Sequence, residues 1–461
     1  MNDFLHYLLY LLRSSLLPAA LAAGACTLAL ISAFLFHRAK YKGERRFPWA
    51  KAVSAVLLTG YLCAVLYVTV WRGDGYGWNL RLFRAWREAW NTFSLKSWLN
   101  VLLNVILFLP LGVLLPVIWE RLRKWYWTLI SGFGFSLCIE TAQYVWHRGM
   151  FDVDDIFTNT LGAMLGYCVV MSIISAVGKR GKRAVRYSAF PVAVIALLCG
   201  SFAAYHIQEY GNLECAPSFK ADTAGVAWSL ACELDDSATS APVYKTNTCD
   251  KETCEAFGYG FFEMIDAQVQ DVYYYDREIW FAKHSSPAHF LVVSLLDGSY
   301  TYSHPIDDDV WAETNRETIE NALEAFGIEI PDGAAFTYEG SGWHAFTMER
   351  VLNGDAMLDG SVRCRYTENG AIGKIENDLI SYDFYKEEDI ITAVEAYERL
   401  KRGGFSGGDV FESYSPCEVR VLSCSFEYEV DSKGFYRPVY VFYLVSTDEA
   451  FEEYVKVPAM T

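Results

Sequence analysis

Carboxylates, carboxamides and an arginine stand together where two apolar segments meet, in E-T-A-Q-Y-V-W-H-R-G-M-F-D-V-D-D-I-F-T-N-T-L-G-A-M-L-G from Glu140 to Gly166. An ionisable group inside a lipid-spanning helix costs about 2.5 kcal/mol or more, so Glu140 marks a site by default. Three chemistries fit the acidic loop. Asp152, Asp154 and Asp155 can cap the helix that follows, with Arg148 as ion-pair partner, because unpaired amides and the helix dipole favour negative charge. Two or three of them with Asn159 can ligate a divalent cation, since hard cations take oxygen donors. Glu140, Asp152 or Asp155 can also act in direct recognition or as acid and base toward a lipid headgroup or cell-wall precursor. No metal ligand is assigned.

The elements that must position these groups follow from hydropathy and charge. Up to Ile207 the chain carries 21 Lys and Arg against 9 Asp and Glu; beyond it, 18 against 47, within a net charge of −17. A basic apolar half and an acidic half indicate a membrane domain joined to a water-soluble one, and neither has a nucleic-acid-binding character. Six apolar runs approach the length of roughly 20 residues that a bilayer core requires. They lie near Leu16 to Phe36, Ala52 to Trp71, Leu99 to Trp119, Trp125 to Trp146, Ile156 to Val177 and Tyr187 to Ile207. The first is too long, and too far inside the chain, for a cleavable signal peptide.

Cations concentrate at His37 to Lys51, Glu120 to Lys124 and Gly178 to Arg186, which makes these connections cytoplasmic and the acidic half extracytoplasmic. The connection from Arg72 to Ser97 dissents, with five cations on the outer side. Trp78, Trp86, Trp90 and Trp98 mark it as holding an amphipathic helix in the interface. In this arrangement Glu140 sits about 9 Å below the outer end of its helix. Asn100 and Asn104, Gln143, His147, Arg148, the three aspartates and Asn159 are expected at the same depth, as a wet cluster that suits a polar ligand. Gly162 and Gly166 form a small-residue pair for close helix packing, and Pro110 with Gly112 is expected to loosen its helix.

Three motifs in order, N-V-I-L-F-L-P-L-G (Asn104 to Gly112), I-E-T-A-Q (Ile139 to Gln143) and R-G-M-F-D-V-D-D-I-F-T-N-T-L-G (Arg148 to Gly162), resemble the VanZ-like family of membrane proteins over about residues 71–177. The resemblance implies a bacterial, Gram-positive-type envelope protein associated with resistance to teicoplanin-type glycopeptide antibiotics, with no settled reaction. By motif it points to Asn104, Glu140, Gln143, Arg148, Asp152, Asp155 and Asn159. The sixth span and the long acidic half depart from the family's usual small size.

In the second half, two helix-like stretches, Ala312 to Phe326 and Glu387 to Lys401, end at glycines and are each followed by strand-like runs. This repeat, with T-A-V-E-A-Y-E-R-L-K-R-G-G (Thr392 to Gly404) and R-P-V-Y-V-F-Y-L (Arg437 to Leu444), is similar to the YycI and PepSY-like modules of envelope proteins, which implies partner binding or restraint. Five cysteines lie in apolar spans and seven in the second half, where Cys249 with Cys254 and Cys417 with Cys424 are expected local disulfide pairs. Zinc-binding spacings, a Ser-His-Asp arrangement and a phosphate-cradling glycine loop are missing, and His284, His289, His304 and His344 read as surface or core residues. Tyr273, Tyr274, Tyr275, Trp280, Phe281, Trp311 and Trp343 read as core aromatics or, alternatively, as a carbohydrate-stacking surface.

The expected architecture is an α-helical polytopic bundle of about six spans (1–207), a strand-rich segment (208–310) and an α+β module (311–461), the last two forming an extracytoplasmic domain with two helix-plus-antiparallel-strand lobes. The expected function is a multi-pass cell-membrane protein whose outer-leaflet polar cluster binds an amphiphile: a membrane lipid, a lipid-linked cell-wall precursor or a glycopeptide. The second half would engage an envelope protein partner. Two alternatives stay open, an enzyme that modifies a lipid-linked wall intermediate and a membrane-anchored regulator of an envelope sensor kinase; sequence does not decide whether there is turnover or a divalent-cation requirement.

Overall fold

A computed structural model of the chain describes residues 20–22, 24–32, 34–36, 38–39, 49–70, 77–217, 219–237, 239–246, 250–275, 277–282, 289–304, 310–353, 355–405, 418–446 and 451–460. The chain divides into two compact units, a helical one ending at Glu209 and a strand-rich one that runs from Tyr210 and also takes in Asn91–Ser94.

The helical unit contains α1 (Ala20–Phe36), α2 (Trp49–Val70), a short α3 (Arg84–Thr92), α4 (Leu95–Ile118), α5 (Trp125–Val145), α6 (Val153–Val177) and α7 (Gly181–Ile207). Among the described residues four helices are long and apolar enough to cross a membrane: α2, α4, α6 and α7. Of the six expected spans, the first corresponds to the shorter α1; Leu16 to Ala19 of that expected span, with Ala23 and Ala33, lie outside the described residues. The fourth is α5, long enough at 21 residues but made less apolar by Glu140 and Gln143. α7 starts six residues earlier than expected, so Lys182, Arg183 and Arg186 occupy its first turns.

The centre of this unit is the pairing of α4 with α6, which glycines make possible. A Cβ at Gly162 would lie 2.0 Å from the carbonyl oxygen of Val105, one at Gly166 2.1 Å from that of Leu109, and one at Gly112 1.8 Å from that of Ala163. Backbone meets backbone at all three points, the close approach that small residues allow. Contrary to expectation, Pro110 does not open its helix: α4 runs unbroken from Leu95 to Ile118. The Tyr61 phenol donates to the Leu107 carbonyl (2.8 Å), supplying a donor in the turn where the proline has none. Gly112 therefore packs, as Gly162 does.

In the second unit, β3 (Ala227–Leu230), β4 (Ser240–Thr246), β5 (Asp271–Tyr274), β6 (Glu278–Ala282), β7 (Phe290–Ser294), β8 (Tyr300–Ser303), β9 (Ala335–Gly340), β10 (Trp343–Asn353), β11 (Ala356–Tyr366), β12 (Ile372–Asn377), β13 (Ile380–Asp389), β14 (Glu418–Val430), β15 (Phe435–Ser446) and β16 (Glu452–Pro458) form one sheet. Its main path is β3-β14-β15-β4-β13-β11-β12-β8-β7-β6-β5, so strands from 208–310 and from 311–461 intermingle. All pairings are antiparallel except β3 with β14. Helices α8 (Lys251–Met264), α9 (Arg316–Glu324) and α10 (Ala393–Lys401) lie against it around two cores. One core gathers Phe261, Phe281, Leu291, Ile319, Phe346 and Ile375; the other gathers Ala396, Leu400, Phe405, Val421, Phe442 and Val457.

Both helices read from the sequence are shorter than expected. α9 starts after the cap Asn315, which accepts from Thr318 N. α10 starts after Thr392, in a capping box with Glu395, while Glu387–Asp389 belong to β13. Cys254 is disulfide-bonded, and Cys249 lies outside the described residues. Cys424 is a free thiol on β14, packed against the second core, so the expected Cys417–Cys424 bridge does not form; Cys417 lies outside the described residues. The aromatic residues divide: Phe281 is fully buried, Tyr273 and Tyr275 are exposed, Trp280 stacks on Phe290, and Arg365 and Arg363 lie over Trp311 and Trp343.

Candidate functional site

The acidic loop is organised by a two-residue parallel pairing, β1 (Trp78–Asn79) with β2 (Phe151–Asp152), in which Asn79 is registered against Asp152. Asp152 has three tasks. Its side chain caps α6 by accepting from Asp154 N (2.7 Å) and accepts from the Asn79 carboxamide (3.0 Å), and its own backbone N–H donates to Glu140 Oε2 (3.0 Å). Burial pushes the Asp152 carboxyl above the ordinary carboxylate range, while the bonds from Asn79 and Asp154 pull it back.

Asp154, fully buried, caps a different helix from the expected one. It accepts from the backbone N–H groups of Phe83 and Ala85 (the latter at 2.7 Å), at the start of α3. Phe83 has φ +70° there, a left-handed conformation unusual for an aromatic residue that the bond to Asp154 helps to hold. The amphipathic helix read from the tryptophans is thus tied to the loop through backbone amides.

Asp155 accepts from the Asn104 carboxamide on α4 at 2.6 Å and lies within electrostatic reach of Glu140. On α5, Thr128, Gly132, Ser136 and Glu140 recur every fourth residue and are all buried. That face meets α6, where Asn159 donates to Ser136 Oγ (2.9 Å); the Asn159 Oδ1 is buried without a partner. Gln143 donates to the carbonyl of Thr69 at the end of α2 (2.9 Å), and its Oε1 is likewise buried and unpartnered.

Of the expected residues, Asn104, Glu140, Asp152, Asp155 and Asn159 therefore come together, with Gln143 reaching α2. Asn100 is exposed one turn before Asn104 and bonds none of them. Arg148 corrects the ion-pair expectation. The chain turns at His147 (φ +54°), Arg148 N bonds back to Gln143 O (2.8 Å), and its exposed side chain pairs with none of the three aspartates. The groups acting on Glu140, Asp152 and Asp155 among the described residues are other carboxylates and amide donors. Among the described residues no group of three or more His, Cys, Asp or Glu side chains could hold a metal ion.

Sequence reasoning missed Asn79 and the amides of Phe83 and Ala85. Their signal was faint: one asparagine in a tryptophan-rich connection, and backbone groups that sequence does not distinguish.

Residues 52–175 match the family model described as VanZ/LLP1. This stretch is a VanZ-like domain. It takes in α2, α4, α5 and α6 with the tethered α3, hence every residue of the cluster, whereas α7 and the strand-rich unit follow it. Within the chain, 66 residues are 38% identical to Protein VanZ of Enterococcus faecium, covering 14% of this chain and 38% of that protein. The resemblance to this family is confined to that stretch, and the apolar helices of the chain fit a membrane protein.

Proposed function

We propose that the VanZ-like domain binds the cationic headgroup of an amphiphile at Glu140 and Asp155, with Asn104, Asn159 and Gln143 completing the polar contacts. One observation supports this above the others: a buried carboxylate, Glu140, and a half-buried one, Asp155, lie within electrostatic reach of each other and accept from neutral donors, with no basic side chain beside them among the described residues. Burying a carboxylate without a counter-ion costs several kcal/mol, and an ammonium group entering the cluster offsets that cost. An amine-bearing lipid, lipid-linked wall precursor or glycopeptide supplies such a group together with an apolar tail. In this reading the cluster lies toward the outer leaflet and the strand-rich unit is extracytoplasmic, where it engages an envelope partner; the phenotype to expect is altered susceptibility to teicoplanin-type glycopeptides.

The test is binding of an amine-bearing amphiphile to the full chain in nanodiscs, compared with its N-acetylated form. Acetylation is expected to cost about 2–5 kcal/mol of affinity, the range for removing one partner of a buried charge pair. Glu140→Gln and Asp155→Asn should abolish the discrimination. Equal binding of both amphiphiles overturns the reading. The proximity of two carboxylates also favours acid/base chemistry on a lipid-linked intermediate, which a mass change in incubated precursor would reveal.

A further inference from the structure

β3 ends the main path of the sheet and is held to β14 by a four-residue parallel ladder, with Trp228 registered against Val419 and Leu230 against Val421. The Ala231 N–H carries the ladder one step further by donating to Val421 O (2.9 Å). Along β14 the side chains alternate as far as Leu422: Val419 and Val421 are buried in the second core, and Leu422 is exposed. There the pairing of β14 with β15 slips by one residue, Val421 facing Leu444 and Ser423 facing Tyr443. A bulge of this kind leaves one residue unpaired and reverses the alternation beyond it. The next residue of β14 to pack against the core is therefore Cys424, followed by Phe426; on the chain leaving β3 it is Cys232, followed by Leu234.

Both thiols thus leave neighbouring strands on the same side, just past the last registered pair. Neighbouring strands stand about 4.7–4.9 Å apart, inside the roughly 4.4–6.8 Å between Cα atoms that a disulfide spans. The two groups act on each other: burial pushes the Cys424 thiol up to about 12, and the Cys232 thiol adds to that rise. Other described thiols of the strand-rich unit lie elsewhere, Cys364 in the first core and Cys215 against Val439 and Val441. Among the described residues, Cys232 and Cys424 are the two thiols that share the second core.

We propose that Cys232 and Cys424 are a dithiol that a disulfide oxidant closes into an intrachain disulfide, fastening the β3 edge of the sheet to β14. The step balances as thiol–disulfide exchange. Cys232, flanked by exposed Ala231 and Glu233, meets the oxidant first: its thiolate attacks one sulfur, the oxidant's S–S bond breaks, and one thiol departs from a mixed disulfide. The Cys424 thiolate then attacks the Cys232 sulfur and releases the second thiol. Two electrons and two protons pass from the protein to the oxidant. The loop so closed takes in every strand from β4 to β13, and the constraint on the unfolded chain grows with loop length. Oxidation locks the one parallel pairing in the sheet, the kind that is less stable per residue.

The experiment treats the full chain in detergent with oxidised glutathione, blocks the remaining thiols with N-ethylmaleimide and maps the peptides by mass spectrometry without reduction. A peptide pair joining Cys232 to Cys424, about 2 Da lighter than the two thiol peptides together, is expected. The oxidised chain should keep monomer mobility on a non-reducing gel, and dithiothreitol should free both thiols for alkylation. Oxidation should also raise the melting temperature, a rise that Cys232→Ser and Cys424→Ser each abolish; circular dichroism shows whether these variants are folded. Any other state of the two cysteines in the oxidised intact chain, whether alkylated, joined to a different cysteine or bridging two chains, overturns the proposal.

Discussion

Each unit of this protein buries carboxylates, and the two treat them differently. In the strand-rich unit Asp431 is buried and raised above the ordinary carboxylate range by that burial, yet it accepts from the backbone of Gly211, Lys433 and Phe435 and faces Arg437 at 3.8 Å. It is a finished structural joint at the β14–β15 turn. In the VanZ-like domain Glu140 and Asp155 each accept from one amide donor, and among the described residues neither has a cation beside it. A buried acid whose charge is matched within the chain holds the fold together; one whose charge is unmatched is open to something from outside.

Four measurements would break or sharpen that contrast. The largest effect is expected at the finished joint: Asp431→Ala leaves Arg437 buried without its partner and should cost about 3–5 kcal/mol in chemical unfolding of the full chain. Next, Asn104→Ala removes the donor to Asp155 and should cost about 1–3 kcal/mol, read as a lowered melting temperature in detergent. Glu140→Gln, in contrast, should leave the melting temperature unchanged or raise it while amine-selective binding is lost, because removing an unmatched charge relieves desolvation. A drop as large as that of Asp431→Ala would make Glu140 structural and erase the distinction.

The smallest effect is a pH dependence. His344 is buried between Phe336 and Tyr338, accepts from Thr314 N (3.1 Å), and is held below the ordinary histidine range by that burial. Below about pH 6.5 the unfolded chain takes up a proton that the folded ring resists. Stability contributed by this residue is therefore present above that pH and lost as pH falls; a melting temperature of the strand-rich unit that stays flat across this interval would contradict it.

Much of the helical unit was legible because apolar runs of bilayer length have few alternatives, and because Glu140, Asp155 and Asn104 are conspicuous at the ends of such runs. Three misreadings have physical causes. Pro110 suggested an opened helix, but a phenol from α2 supplies a donor beside it. Arg148 suggested an ion pair, but the turn at His147 sends its side chain outward. Asp154 suggested a cap for its own helix, whereas it caps α3, 69 residues earlier, a contact that depends on backbone amides with no sequence signature. In the strand-rich unit, the two helix-then-strands stretches were legible, but they join one sheet, and the insertion of β4 between β15 and β13 depends on pairing over long separations that local patterns do not encode.

The three glycines along the α4–α6 contact have a mechanical consequence. Helices pressed together backbone to backbone have no side-chain layer in which to slide, so Asn104 and Asp155 travel as one rigid plate and their separation is set in advance of any visitor. Whatever gives way to admit a headgroup must be the other wall: α5, which carries Glu140, or the α3 strap that Asp154 pins in place.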